Sequence, residues 1–237
     1  MKEKIIENGG EIRTRAEVTK IITGKKLATG VVVNGKETID CDILVASAHP
    51  KKIIKLINPK NFTKAYRTRI MDLEESLTGM SFHIKTSKKV TTHGNYNIHR
   101  FYQVEQDNII NGPDDFGGKP RMIWYSIPTK RDPEWNEEGD AIYGLYPISY
   151  KEVEKWKDTT FSSRPEDYIE FKERQKEIFL DLLKADMPEI SGHIEYADVA
   201  TPLTYEHYIN TVEGSFYGIK HNCGQQPPYG VLTNCKV

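Results

Sequence analysis

Apolar and polar positions change rhythm several times along the chain, and each change predicts an element. Residues 4–7 read as the last turn of a helix with Ile5 and Ile6 apolar, and Asn8-Gly9-Gly10 stops it, because Asn and Gly accept the positive φ of a helix C-cap. Short strands follow at 11–14, 17–23, 27–33 and 36–40, with a turn at Gly24-Lys25-Lys26. Val31 and Val33 alternate at period two, and Asn34-Gly35 is a two-residue hairpin signal. Residues 42–46 (Asp-Ile-Leu-Val-Ala) form a nearly continuous apolar run, which predicts a strand buried on both faces. Ile53, Ile54 and Ile57 then repeat at helical spacing over 51–57.

After Asn58-Pro59-Lys60-Asn61 the texture shifts. Residues 63–75 read as helix, 76–86 and 98–104 as strands, 108–120 as a loop, and 121–128 and 140–149 as aromatic strands. The strongest helix is 165–185, where Tyr168, Phe171, Ile178, Phe179, Leu182 and Leu183 recur near period 3.6 between charged residues. A strand at 193–199 and a short helix within 201–210 complete the series. The fold class is mixed α/β, and the expected division is 1–58, 59–221 and 222–237.

Charge removes several function classes. With 33 Lys and Arg against 34 Asp and Glu among 237 residues, the net charge is −1, so clustered cations for nucleic acid are not expected. No apolar window is long enough for a membrane-spanning helix, and the N-terminus lacks a signal peptide's apolar stretch. A cytoplasmic protein is expected. The basic, apolar stretch at 51–57 fits either peripheral membrane contact or an ordinary amphipathic surface helix. Cys41, Cys223 and Cys235 have no CxxC spacing and read as reduced thiols. The seven histidines form no i, i+4 pair, so no metal site is expected. There is no GxGxxG, P-loop, HExxH or GxSxG, and no catalytic acid, base or nucleophile stands out.

Two segments carry more information. One runs from Ile6-Glu7-Asn8-Gly9-Gly10-Glu11-Ile12 through Val18 and Gly30-Val31 to Asp42-Ile43-Leu44-Val45-Ala46-Ser47-Ala48. The other is Ala200-Thr201-Pro202-Leu203-Thr204, then Tyr208, then Gly214-Ser215-Phe216-Tyr217-Gly218. In this order and separation they resemble the FAD-dependent phytoene desaturase, carotenoid isomerase and retinol saturase-like oxidoreductase superfamily. The resemblance implies part of an FAD-binding domain, a β-meander at its edge, joined to a substrate domain of mixed sheet and helices. It implies flavin-dependent desaturation, saturation or isomerisation of a polyene, carotenoid, retinoid or related apolar lipid, and hence peripheral contact with a bilayer. It also implies that the family's two glycine-rich flavin motifs lie outside this segment. This chain alone is therefore expected to bind FAD weakly or not at all, for want of a diphosphate cradle.

The residues implied for the cofactor are Val18, Ala46, Ser47, Ala48, Tyr217 and Gly218. Those for the substrate are Thr201, Pro202, Thr204, Tyr102, Trp124 and Tyr125. Each has a plainer alternative. Val18 suits a strand core, Ala46 to Ala48 suit ordinary close packing, and Tyr217-Gly218 suits a turn. Thr201 with Pro202 suits a helix N-terminus. Tyr96, Phe101, Tyr143 and Tyr146 join the aromatic residues on apparent strands, where either a tunnel lining or a core accounts for them. The competing function is a redox-inactive relative that binds a hydrophobic ligand or a partner. Another flavoenzyme of the same architecture, such as an amine oxidase, fits the second segment less well.

Overall fold

The period-two and period-3.6 stretches become two compact units, Met1–Glu74 and Glu75–Lys220. The computed structural model describes residues 1–24, 27–102 and 120–222. The fold is mixed α/β, with two separate antiparallel sheets and flanking helices.

In the first unit, helix α1 (Lys2–Glu7) ends as its sequence requires. Gly9 adopts φ +77°, its N–H donates to Ile6 O (2.9 Å), and the Gly10 N–H donates to Ile5 O (2.8 Å). This is the two-bond Schellman closure, which a residue with a Cβ at the Gly9 φ would strain. Strands β1 (Val18–Thr23), β2 (Ala28–Val33) and β3 (Glu37–Asp40) form a three-stranded meander. Asn34 (φ 52°) and Gly35 (φ 69°) make the β2–β3 turn, and the Asn34 side chain also accepts from the Glu17 N–H. Helix α2 (Pro50–Leu56) starts at His49, whose Nδ1 accepts from the Lys51 N–H (3.2 Å). Thr63 caps helix α3 (Lys64–Met71) through its hydroxyl, which accepts from the Tyr66 N–H.

Two expectations fail in this unit. Among the described residues, 11–14 pair with no strand, and Arg13 there is occupied by Glu11 and Glu37 (2.6 and 2.7 Å). The run 42–46 is not a ladder strand, and Ile43 and Val45 are 81% and 87% exposed. An apolar run is buried as a strand only when neighbours pair with it on both edges and cover both faces, and among the described residues none does. The turn at 25–26, most of the loop at 108–120, Cys223, Cys235 and residues 223–237 lie outside the described residues.

The second unit is a five-stranded antiparallel sheet. Its strands are β4 (Thr78–Thr86), β5 (Ile98–Phe101), β6 (Met122–Ser126), β7 (Ala141–Ile148) and β8 (Ile194–Ala200), in spatial order β5-β6-β7-β4-β8. Between β7 and β8 come a single turn, α4 (Lys151–Glu154), and the long α5 (Glu166–Asp186). Helix α6 (Pro202–Ile209) follows β8.

Alternation divides the sheet into two faces. Met80, Phe82 and Ile84 of β4, Ile123 and Tyr125 of β6, and Ile142 and Tyr146 of β7 belong to one buried cluster with Phe171, Phe179 and Leu183 of α5. Phe82 stacks on Phe179 at 4.1 Å, and Gly144 beside them leaves the necessary room: a Cβ there would lie 2.1 Å from Phe179 Cζ. Gln175, buried on the apolar stripe of α5, accepts a hydrogen bond from the Tyr146 hydroxyl. At the margin of this core the Asp140 carboxylate, 1% exposed, accepts from the Val90 N–H (2.8 Å) and the Thr129 hydroxyl (2.8 Å) and pairs with Lys130 (3.1 Å).

Candidate functional site

The other face of this sheet takes the alternate residues of each strand. Register places His99 opposite Trp124, Trp124 opposite Leu145, Tyr143 opposite His83, and His83 opposite Asp198. Directly opposed residues share a face, so these side chains lie on one face across all five strands, on two neighbouring rungs that join where Trp124 meets Tyr143. Their rings touch in sequence. His99 and Trp124 are 6.4 Å apart, Trp124 and Tyr143 5.6 Å, and Tyr143 and His83 5.1 Å, while Phe101 extends the row beyond His99. On the helix-covered face the central residues Phe82, Tyr125 and Tyr146 are fully buried, whereas Trp124, Tyr143 and Leu145 are half-buried and Phe101 is 55% exposed.

Segment 214–218 and α6 border this band at the start of β4. The Phe216 N–H donates to Leu77 O (3.0 Å), and the Phe216 ring lies over Gly79, where a Cβ would come within 2.9 Å of its Cζ. Tyr205 of α6 meets Phe216 edge-on at 5.5 Å. Burial pushes the Tyr205 phenol up to about 12; the Ser81 hydroxyl tempers the rise and Tyr143 adds to it. Ser81, itself 2% exposed, is 3.4 Å from His83 Nε2. Ser81, His83 and Tyr205 thus supply polar atoms at the edge of an aromatic surface. They were not singled out in the sequence, although the alternation Ser81-Phe82-His83 puts the serine and histidine on one face.

The residues implied by the resemblance divide between these environments. Trp124 is in the aromatic row. Tyr125, its neighbour, necessarily points to the helix side, where it is fully buried and donates to Asp186 Oδ2 (2.9 Å), an acceptor shared with Arg100 (2.8 Å). Burial and that carboxylate hold the Tyr125 phenol well above its usual range. Tyr102 packs against the same core. Thr201 and Thr204 form a capping box at the start of α6, with Pro202 in its first turn, and the Thr201 hydroxyl also meets the Tyr168 hydroxyl at 2.8 Å. Tyr217 is 78% exposed, and the Gly218 carbonyl accepts from the Ser76 N–H (2.6 Å). Val18 is half-buried in the first unit's meander, and Ala46, Ser47 and Ala48 are exposed on the segment after it. These four belong to a different unit from the aromatic row.

Among the described residues no group of three or more His, Cys, Asp or Glu side chains is placed to hold a metal ion. Nor, among them, does a strand lead through a glycine-rich turn into a helix, and the first turn of α5 carries Glu166 and Asp167, which repel anions. The described residues therefore do not fit the diphosphate of a dinucleotide. Among them no helix is long and apolar enough to cross a membrane.

Comparison with known proteins gives likenesses in fold and in sequence. A solved oxidoreductase from Methanosarcina mazei superposes with TM-score 0.53 at 16% identity, over 84% of this chain and 40% of that one. The PF1083 protein of Pyrococcus furiosus does so with TM-score 0.53 at 18% identity over the same shares. In sequence, the chain is 27% identical over 234 residues to the all-trans-retinol 13,14-reductase of Danio rerio, covering 92% of this chain and 39% of that protein. It is 23% identical over 231 residues to the zeta-carotene-forming phytoene desaturase of Myxococcus xanthus (94% and 41%). It is 27% identical over 225 residues to the chloroplastic prolycopene isomerase of Daucus carota (90% and 33%). No family model matches. The relatives it resembles in sequence are thus a retinol reductase, a phytoene desaturase and a carotenoid isomerase, and the chain spans 33% to 41% of their length.

Proposed function

We propose that this chain forms the substrate-binding part of an FAD-dependent oxidoreductase that acts on a polyene, carotenoid, retinoid or related apolar lipid. The observation that carries the reading is the row of rings from Phe101 to His83 on the face of the sheet turned away from α5. A surface of contacting aromatic rings suits a long, flat, conjugated molecule, which gains from stacking and from leaving water. In such enzymes the cofactor carries the bond chemistry, and the protein binds, orients and keeps the site dry. The residues of this chain fit those tasks: Trp124, Tyr143 and Leu145 offer contact area, and Phe216 closes one end. The flavin's diphosphate cradle is not among the described residues.

Titrating the purified chain with an all-trans conjugated polyene in detergent micelles tests this reading. Tryptophan fluorescence is expected to be quenched, and Trp124→Phe is expected to abolish most of the saturable quenching while Trp135 and Trp156 remain as internal controls. Equal quenching in the variant would refute the assignment of the face. Flavin absorbance provides a separate check: the chain is expected to purify without a stoichiometric flavin.

A further inference from the structure

Tyr205 is the feature of this face that packing does not explain. Its hydroxyl is shielded from solvent; Ser81 lies close enough to temper its acidity, but no group meets it in full hydrogen-bond geometry. Leaving a buried hydroxyl without a partner costs about 1–3 kcal/mol, and proteins seldom retain such a group without a use for it. The ring is held from the side by Phe216, which in turn sits against Gly79. Two residues along β4 from Gly79, on the same face, is Ser81, whose hydroxyl is 3.4 Å from His83 Nε2, and His83 in turn meets the Tyr143 ring. Beyond Tyr143 the face continues through Trp124 toward His99 and Phe101.

A ligand that follows this surface meets rings along most of its length and polar atoms at one end. The sign of the charge there narrows the choice. Asp198 stands opposite His83 on the same face; Lys172 at 3.7 Å offsets part of its charge, and the remainder disfavours a carboxylate arriving at that point. An uncharged oxygen meets no such penalty: it can accept from the phenol and exchange hydrogen bonds with the serine and histidine.

We propose that Tyr205, with Ser81 and His83, binds the terminal hydroxyl or carbonyl oxygen of an otherwise apolar ligand, and so selects oxygenated polyenes over hydrocarbon ones. This rests on the reading of the aromatic face as the substrate surface, and it adds the end of the substrate that the face recognises. Tyr205 is a specificity-determining residue here, and no bond-making step is assigned to it.

The test compares all-trans-retinol with the same polyene lacking the hydroxyl, each titrated into the full chain by tryptophan quenching. The unmodified chain is expected to bind the alcohol about tenfold more tightly, as one well-placed hydrogen bond and the relief of a buried orphan would give. Tyr205→Phe is expected to erase that preference while binding the hydrocarbon at least as well as before. Because it removes an unpaired buried hydroxyl, it should melt no lower than the parent. Ser81→Ala, a second and independent change, is expected to reduce the preference without erasing binding. A preference that survives Tyr205→Phe, or one that never appears in the parent chain, overturns the proposal and leaves the aromatic face as a substrate surface. Failure of both probes to bind the parent chain overturns both readings.

Discussion

Replacing Asp140 tests the energetics of the second unit most directly, because several elements meet at its carboxylate. It accepts from the Val90 amide and the Thr129 hydroxyl, pairs with Lys130 at 3.1 Å, and has Lys89 at 3.7 Å. Burial alone would oppose its ionisation, but the Val90 amide, the Thr129 hydroxyl and Lys130 together outweigh that and hold its pKa below the ordinary value. Asp140→Ala strands a buried amide and a hydroxyl, at about 1–3 kcal/mol each, and leaves Lys130 only the Val90 carbonyl (2.6 Å) as its remaining hydrogen-bond partner here. The expected loss is about 3–5 kcal/mol, in the range for breaking a buried pair by removing one member. Asp140→Asn keeps one acceptor and most of the shape, and should lose less.

The pH dependence gives a second handle. The folded pKa lies below the ordinary 3.8, so the stabilisation is fully present above that value and is lost as pH falls through the folded pKa. The gap between parent and Asp140→Asn should therefore be constant from neutral pH down to that value and close below it. Urea unfolding reports both effects as a shift of midpoint at unchanged slope. Trp135 is a local probe, since its Nε1–H donates to the Gly139 carbonyl (2.9 Å). A loss under about 1 kcal/mol for the alanine variant, below the usual cost of even one stranded buried group, would refute this account. So would a gap that persists in strong acid.

Two further substitutions probe the packing beneath the aromatic face. Gly144→Ala puts a methyl where Phe179 lies and is expected to cost about 1–3 kcal/mol by overpacking; a variant melting with the parent would mean that the ring stack shifts freely. Thr201→Val removes a helix cap worth about 1 kcal/mol and also deprives the buried Tyr168 hydroxyl of its partner. Its thermal unfolding should fall by more than that of Thr204→Val, which loses the reciprocal bond from the Thr201 N–H and the longer contact (3.4 Å) between the two hydroxyls but leaves Tyr168 its partner.

Much of the fold is legible because local pattern and tertiary role coincide. The stripe of α5, the strict alternation of β4 and β7, the Asn34-Gly35 turn and the Thr201-Pro202 helix start each follow from residue chemistry within a few positions. Residues 42–46 show where that stops. The run is apolar enough for a buried strand, but burial is supplied by neighbouring strands and not by the run itself. The candidate site was half legible for a similar reason. Trp124 and Tyr125 read alike as aromatic residues on a strand, yet adjacent positions on one strand must face opposite ways, and only Trp124 joins the row. Ser81 and His83 share a parity that the sequence displays. Tyr205 has no such cue, because its neighbours come from β4 and from Phe216, and no local spacing encodes that meeting.

The pleat of the five-stranded sheet separates two kinds of selection. Even-numbered residues of β4 answer to α5, while the odd-numbered ones answer to whatever lies along the rings. A lineage can thus exchange Ser81, His83 or Tyr143 and try new molecules while Phe82, Tyr146 and Phe179 keep the scaffold intact. Such a surface can diversify without first being restabilised, and relatives that differ in substrate are expected to differ mainly in one parity of the same strands.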